Sequence, residues 1–344
     1  MMEENQQRMS DLTPPSEILL RHTREFAERS VIFSGDLQDL LPAQFNAKQI
    51  RVHTQEYHHW RLLSPVLKND IQFGVLPSED LVSKTDTVIF YWPKNKAQAQ
   101  FQLEHLCSLF PSQTNIFIVG ENRSGIRSAK DLLAEKVSLH KIDAARRCSL
   151  YYGCLKQKSV FNMESQWRRY QVKDVQIKTL PGVFSANQLD EGSQLLLSSF
   201  DIPLSGKVLD LACGAGVLGT ILARQSPKIQ LTLSDVNAAA LESSRANLAV
   251  NHIKARVVPS DLYSDIPERF NFILSNLPFH KGLQTDLKMI EKCIEEAPGH
   301  LYKGGKLRLV ANAFLPYPKL LNRTFGHYEV LTQNARFKVY QATL

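Results

Sequence analysis

Two sets of residues in this chain have types and spacings that can do chemistry. The first is Ser275-Asn276-Leu277-Pro278-Phe279-His280, which directly follows the apolar run Phe270-Asn271-Phe272-Ile273-Leu274. An amide, a backbone-stiffening proline and an aromatic ring at the end of a buried strand can hold a flat, hydrogen-bonding ligand such as a base. The second set is three acids at successive strand ends. Asp210 lies in Lys207-Val208-Leu209-Asp210-Leu211, ahead of the turn Ala212-Cys213-Gly214-Ala215-Gly216; Asp235 ends the next apolar run; Asp261-Leu262 ends the third. Gly214 and Gly216 let backbone N–H groups and a helix N-terminus come close to a ligand. Asp235, about 25 residues beyond Asp210, can accept both ribose hydroxyls of a nucleoside. Asp261 can accept from an adenine amine, with Leu262 packed on the ring.

The phosphate signatures are missing. No G-x-x-x-x-G-K-[ST] occurs, and Ala212 to Gly216 is not G-x-G-x-x-G, which excludes a P-loop and disfavours a dinucleotide. S-adenosyl-L-methionine, with ribose and adenine but no phosphate, fits better. The five cysteines are odd in number and none form a C-x-x-C pair, so neither a disulfide framework nor a metal site is expected.

The elements that must position these residues follow an alternating pattern. Pro14-Pro15-Ser16 opens a helix, and strands are predicted at Val31-Ile32-Phe33, Thr87 to Tyr91, Ile116 to Val119 and Cys148 to Leu155, with a helix over Gln98 to Phe110. The second half repeats the plan as seven strands: at 207–211, 230–235, 255–259, 270–275, 306–312 after a Gly304-Gly305 turn, and a terminal hairpin over 327–331 and 336–343. Alternating strands and helices predict an α/β fold with a largely parallel sheet covered on both faces. Val88 to Pro93 echoes Phe272 to Pro278, Ile116 to Asn122 echoes Leu307 to Asn312, and Ala145-Arg146 before Leu150-Tyr151 echoes Ala335-Arg336 before Val339-Tyr340, in one order. Internal duplication accounts for this.

With 344 residues and 43% hydrophobic content the chain can build two cores. No apolar run nears the roughly 20 residues of a membrane span, and the start is polar, so a cytoplasmic protein is expected. The net charge of +7 suits a polyanionic partner without requiring one.

Over nearly its whole length the chain resembles the RsmC family of guanine-N2 methyltransferases, which act on 16S rRNA of the small ribosomal subunit. The likeness is carried by Tyr91 to Lys96, Gly120 to Gly125, Ala144 to Cys148, Leu180 to Ser185, the Asp210 to Gly216 turn, Ser275 to Phe279, and Val310 to Pro318. It implies two tandem Rossmann-like class I methyltransferase domains, a monomer, and 16S rRNA or the small subunit as partner. Residues 1–160 would be a degenerate domain for RNA binding and support, 161–185 a linker and cofactor lid, and 186–344 the catalytic domain. In the first half Ser34-Gly35-Asp36 lacks the paired glycines and Tyr91-Trp92-Pro93 lacks the Asn. The family further implies that Asn276 Oδ1 and the Leu277 carbonyl accept the two N–H groups of the amine, that Phe279 stacks on the base, and that Phe184 covers the methionine end of the cofactor.

Two departures stand out. Ala212 replaces the first Gly of D-x-G-x-G-x-G, and Leu277 replaces the first Pro of N-P-P-[FY]. An Ala at positive φ is expected to cost about 1 kcal/mol or more, and proline at 277 is expected to speed transfer. Two other readings stay open: a large-subunit or other amino acceptor, and a decayed RNA-binding or assembly protein. Candidate RNA contacts are Lys94, Lys96, Arg123, Arg127, Arg146, Arg147 and Lys281; His280 and Cys213 receive no catalytic role.

Overall fold

Runs of β-branched and aromatic residues become the strands of two seven-stranded sheets in a computed structural model that describes residues 12–200, 203–277 and 283–344. The chain divides into two compact units, Met1–Gln166 and Trp167–Leu344. In the first, β1 (Ser30–Gly35), β2 (Gln49–Thr54), β3 (Ile71–Phe73), β4 (Thr87–Tyr91), β5 (Asn115–Glu121), β6 (His140–Ala145) and β7 (Cys148–Cys154) take the order β3-β2-β1-β4-β5-β7-β6. The first five are parallel, and β7 runs antiparallel to both β5 and β6. Helices α1 (Pro14–Leu20), α2 (Tyr57–Leu67) and α3 (Lys96–Leu109) accompany them. Ile18, Leu19, Phe33, Ile89 and Phe117 share one buried cluster, and Val88, Phe90, Leu103 and Ile118 share another, so apolar residues cover both sheet faces.

The second unit opens with a hairpin, β8 (Arg168–Val172) and β9 (Val175–Thr179), then α4 (Glu191–Ser198). Its sheet is built from β10 (Gly206–Leu211), β11 (Ile229–Asp235), β12 (Arg256–Pro259), β13 (Phe270–Ser275), β14 (Leu301–Asn312), β15 (Glu329–Gln333) and β16 (Phe337–Thr343), in the order β12-β11-β10-β13-β14-β16-β15. Helices α5 (Val217–Gln225), α6 (Ala238–Val250), α7 (Leu283–Glu296) and α8 (Tyr317–Phe325) alternate with them. The two sheets have one topology, which is what duplication of an ancestral unit leaves. No helix among the described residues is long and apolar enough to cross a membrane.

Two expectations need revision, and three strands were not foreseen. The stretch 161–185, expected as linker, contains the β8–β9 hairpin, whose β9 backbone is bonded by Asn247 and Asn251 of the second unit. Strand β14 does not start after a Gly304-Gly305 turn but runs through it: Gly304 adopts φ +76 in an irregular stretch where pairing shifts between Phe270 and Phe272. Strands β2, β3 and β6 lacked a readable signal, since Gln49–Thr54 and His140–Ala145 mix polar with apolar residues and β3 is three residues long.

Candidate active site

In an open α/β sheet a ligand binds beyond the carboxyl ends of the strands, where the strand order reverses. Here the reversal lies between β10 and β13, and in the first unit between β1 and β4. Matching Pro93 to Pro278 makes Tyr91 the counterpart of Asn276, and the strand pairing then makes Gly35 the counterpart of Ala212 and Asp36 that of Cys213. The two crevices differ at once. Asp36 N donates to Tyr91 O of β4 at 2.8 Å, and a Cβ on Gly35 would lie 2.1 Å from that oxygen, so the first crevice is shut by backbone. Cys213 N donates instead to Ser234 O of β11 at 2.9 Å. The turn after β10 therefore leans away from β13.

That turn is built on left-handed residues, Ala212 at φ 56, Gly214 at φ 55 and Gly216 at φ 71. Ala212 thus holds the conformation that glycine adopts freely and alanine at a cost. A Cβ on Gly216 would meet Leu233 Cδ2 and Ser244 Oγ at 2.7 Å, whereas one on Gly214 would find nothing nearer than Phe184 Cβ at 4.0 Å. Gly216 packs the turn; Gly214 leaves room beside it. Asp210 is buried, accepting from Gly219 N at 2.8 Å through Oδ2, while Oδ1 has no partner among the described residues. Burial above all, with the charge of Asp235, pushes its pKa up to about 7 against the pull of the Gly219 bond.

Asp235 was expected to accept both ribose hydroxyls of a nucleoside. Its Oδ2 accepts from Gly214 N at 2.8 Å and its Oδ1 from Asn237 N at 2.9 Å, so it also holds the turn in place. Asp261 is half-buried and its carboxylate takes no hydrogen bond from a described residue; Leu262 beside it is buried at φ 53. The Cys213 thiol is buried and pushed well above its usual range by burial and by Asp235 and Asp210, which leaves it inert as a nucleophile. Among the described residues no cluster could hold a metal ion.

Helix α6 supports the turn through residues that sequence reasoning missed. Ser244 Oγ donates to Gly214 O at 3.0 Å and Asn247 Nδ2 to Ala215 O at 2.8 Å, while Asn247 Oδ1 accepts from Lys178 N at 2.6 Å and Ser243 Oγ from Leu180 N at 3.1 Å. The available signal was Ser243, Asn247 and Asn251 recurring every four residues, a polar line on one face of a helix. Those bonds bring the segment from Leu180 to Asp190 up to the glycine turn, and Phe184 stands 45% exposed on it.

At the tip of β13, Asn276 Nδ2 donates to Asp190 Oδ1 at 3.1 Å and to Ser193 Oγ at 2.9 Å, and its Oδ1 accepts from no described residue. Leu277 is 7% exposed and belongs to the apolar cluster that includes Leu211, Ile273 and Leu309. Packing of that side chain anchors the tip where proline would have stiffened it. Pro278, Phe279, His280 and Lys281 lie outside the described residues. In the first unit Tyr91 OH lies 2.6 Å from Ser16 Oγ, which donates to Asp39 Oδ1 at 3.0 Å, all buried. A phenol fills the place of the amide, and the crevice has lost its acceptor.

The predicted basic residues of the first unit gather beyond the ends of β4 and β5 and in the β6–β7 turn. Arg123 pairs with Glu121 and Arg146 with Glu17, while Arg127 and Arg147 are exposed and pair with no described acid.

Comparison with known proteins agrees with this architecture. Residues 174–341 match the methyltransferase small domain and residues 16–170 its N-terminal companion domain. The solved structure of the T. Thermophilus 16S rRNA N2 methyltransferase RsmC, in complex with AdoMet and guanosine, superposes with a TM-score of 0.82 at 23% identity, covering 96% of this chain and 92% of that one. The Ribosomal RNA small subunit methyltransferase C of Yersinia pseudotuberculosis serotype IB is 59% identical over 98% of this chain and 97% of its own length. The protein of that name from Hamiltonella defensa is 97% identical over 98% of this chain and 100% of its own length. With a duplicated methyltransferase fold and relatives matched along almost their full length, this chain belongs to the Ribosomal RNA small subunit methyltransferase C family.

Proposed function

We propose that the second unit transfers a methyl group from S-adenosylmethionine to the exocyclic N2 of a guanine in 16S rRNA. The observation that carries this reading is the strand reversal between β10 and β13, where among the described residues the turn after β10 bonds β11 instead of closing on β13, and where Asn276 Oδ1 accepts from no described residue. The residues present fit the cofactor. Gly214 leaves a gap beneath Phe184, Asp235 and Asp261 stand at the next two strand ends, and the turn is not a phosphate cradle. The T. Thermophilus relative was solved with AdoMet and guanosine, the two ligand classes this crevice suits.

Asp235 would hold the ribose, Asp261 the adenine amine, and Leu262 the ring face. When bound, S-adenosylmethionine supplies an electrophilic methyl group on its sulfonium. The chain's own contribution is placement. A guanine amine is a poor nucleophile because its lone pair is delocalised into the ring. Asn276 Oδ1 and the Leu277 carbonyl each accept one N–H, which favours a pyramidal nitrogen with its lone pair turned into the crevice, and Phe279 stacks on the base. The target base must be turned out of its stack to reach this strand end. Exposed Arg127 and Arg147, with Lys94 and Lys96, supply phosphate contacts from the first unit.

Asn276→Ala tests the reading. Methyl transfer to small subunits is expected to fall on the order of a hundredfold or more, with cofactor affinity within about twofold; an unchanged rate would remove Asn276 from the mechanism. Mapping the N2-methylated guanine in rRNA from cells with and without the gene identifies the acceptor, and an unaltered 16S rRNA would overturn it.

A further inference from the structure

We infer that Asp190 and Ser193, at the start of α4, are positioning residues that set the polarity of the Asn276 amide and so create the acceptor on which methyl transfer depends. This rests on the acceptor role proposed for Asn276. An asparagine side chain can sit in a site two ways, differing by exchange of its oxygen and its NH2 group. Neither packing nor strand geometry distinguishes them, because the two ends have nearly the same shape.

Hydrogen bonding does distinguish them. A carboxylate only accepts, so Asp190 Oδ1, 3.1 Å from the amide, must face the NH2 end. Ser193 Oγ, 2.9 Å away, takes the second N–H but as a hydroxyl could equally donate to an oxygen. Asp190 therefore decides the orientation and Ser193 completes it. With both N–H groups spent on α4, Oδ1 is the end left to face the crevice. Asp190 is itself held rigidly: as the N-cap of α4 its Oδ1 also accepts from Ser193 N at 3.0 Å, and its Oδ2 accepts from Ser185 Oγ at 3.0 Å. The same carboxylate thus ties the segment that carries Phe184 to the tip that carries Asn276.

The first unit provides an internal comparison. Ser16 is the third residue of α1 as Ser193 is of α4, and it meets Tyr91, the counterpart of Asn276, at 2.6 Å. The helix-to-tip contact survives in both units. Its N-cap there is Thr13, which makes no side-chain cap bond, and the tip side chain is a phenol with a single oxygen. Clamping a phenol leaves no second polar end for a ligand, whereas clamping an amide by its NH2 leaves one. A carboxylate is present in both units, but in the first Asp39 takes the hydroxyl of Ser16 at 3.0 Å, whereas in the second Asp190 meets the tip amide itself, and that contact gives the clamp a direction.

The test is kcat at saturating S-adenosylmethionine and small subunits. Asp190→Ser keeps a good N-cap but cannot reach Asn276, and it is expected to lower kcat on the order of tenfold to a hundredfold while the helix stays folded by circular dichroism. Asp190→Asn keeps Oδ1 and is expected to turn over at least about fivefold faster than Asp190→Ser, recovering part of the loss. In an Asn276→Ala background Asp190→Ser is expected to change the residual rate by less than about twofold, because its target is gone. Ser193→Ala, which leaves the cap carboxylate in place, repeats the cycle should Asp190→Ser not fold. An equal loss in both backgrounds, no loss at all, or an Asn variant no faster than the Ser variant overturns the inference. A wild-type rate in Asn276→Ala alone sinks the acceptor role, and this inference with it.

Discussion

Replacing Asp210 by Asn should reverse the sign of its effect on stability between acid and alkaline pH. Asp210 is 1% exposed, with Oδ2 on Gly219 N at 2.8 Å and Oδ1 buried without a partner among the described residues. Burial, with Asp235, raises its pKa from 3.8 to about 7. An unfolded chain therefore releases this proton near pH 4, while the folded chain keeps it until about pH 7. Across that window the folded state binds more protons than the unfolded one, so stability falls as pH rises, and the full penalty applies above it. A gap of about three pH units at about 1.4 kcal/mol each is on the order of 4 kcal/mol. Asn keeps the acceptor for Gly219 and cannot ionise, but it exchanges the orphaned oxygen for a buried donor at a cost of about 1–3 kcal/mol at every pH. The variant is thus expected to be the less stable protein near pH 4.5 and the more stable one near pH 8. For a unit of this size about 4 kcal/mol corresponds to a relative swing in Tm of about 8–16 °C. Scanning calorimetry of both proteins across that range measures it, and parallel Tm curves would refute the reasoning.

The remaining expectations concern the tip, the lid and the RNA surface. Because Leu277 is buried in an apolar cluster, Leu277→Pro should slow transfer and lower Tm by a few degrees, through loss of about 1–2 kcal/mol of packing; a faster enzyme would mean that a fixed φ matters more than the anchor. Phe184→Ala should weaken S-adenosylmethionine binding about fivefold by calorimetric titration, the worth of about 1 kcal/mol of apolar contact. Unchanged affinity together with an unchanged rate would exclude a lid. Arg127→Glu and Arg147→Glu should each reduce the slope of log affinity for 16S rRNA against log salt by about 1 without altering Tm, and an unaltered slope would place the RNA elsewhere.

Much of the fold was legible because its signals are local. The apolar runs that become β1, β4, β5, β10, β11 and β13 state their own identity, and an acid or glycine at the end of a run marks a strand terminus within a few residues. The hairpin at Arg168–Val172 and Val175–Thr179 was not read from the sequence: Val175, Ile177 and Thr179 do alternate and are buried, but the run is five residues long, its partner strand buries no residue, and docking to α6 completes it. Ala212 was read correctly as a departure from glycine, but only the backbone revealed a φ of 56 there.

The sequence by itself determined the duplicated α/β plan, the three acids and the amide at strand ends, and the exclusion of phosphate cradles, since each is a matter of residue type at short spacing. Tertiary structure decided the rest. It showed Asp36 N bonded across the β1–β4 crevice to Tyr91 O while its counterpart Cys213 N bonds Ser234 O of β11, and it brought Asp190 to Asn276 across 86 residues of chain and Ser243 to Leu180 across 63. Those contacts are hydrogen bonds between groups with no preference for each other in an unfolded chain. Their direction, which end of an amide faces a ligand, exists only once a carboxylate has been folded against it.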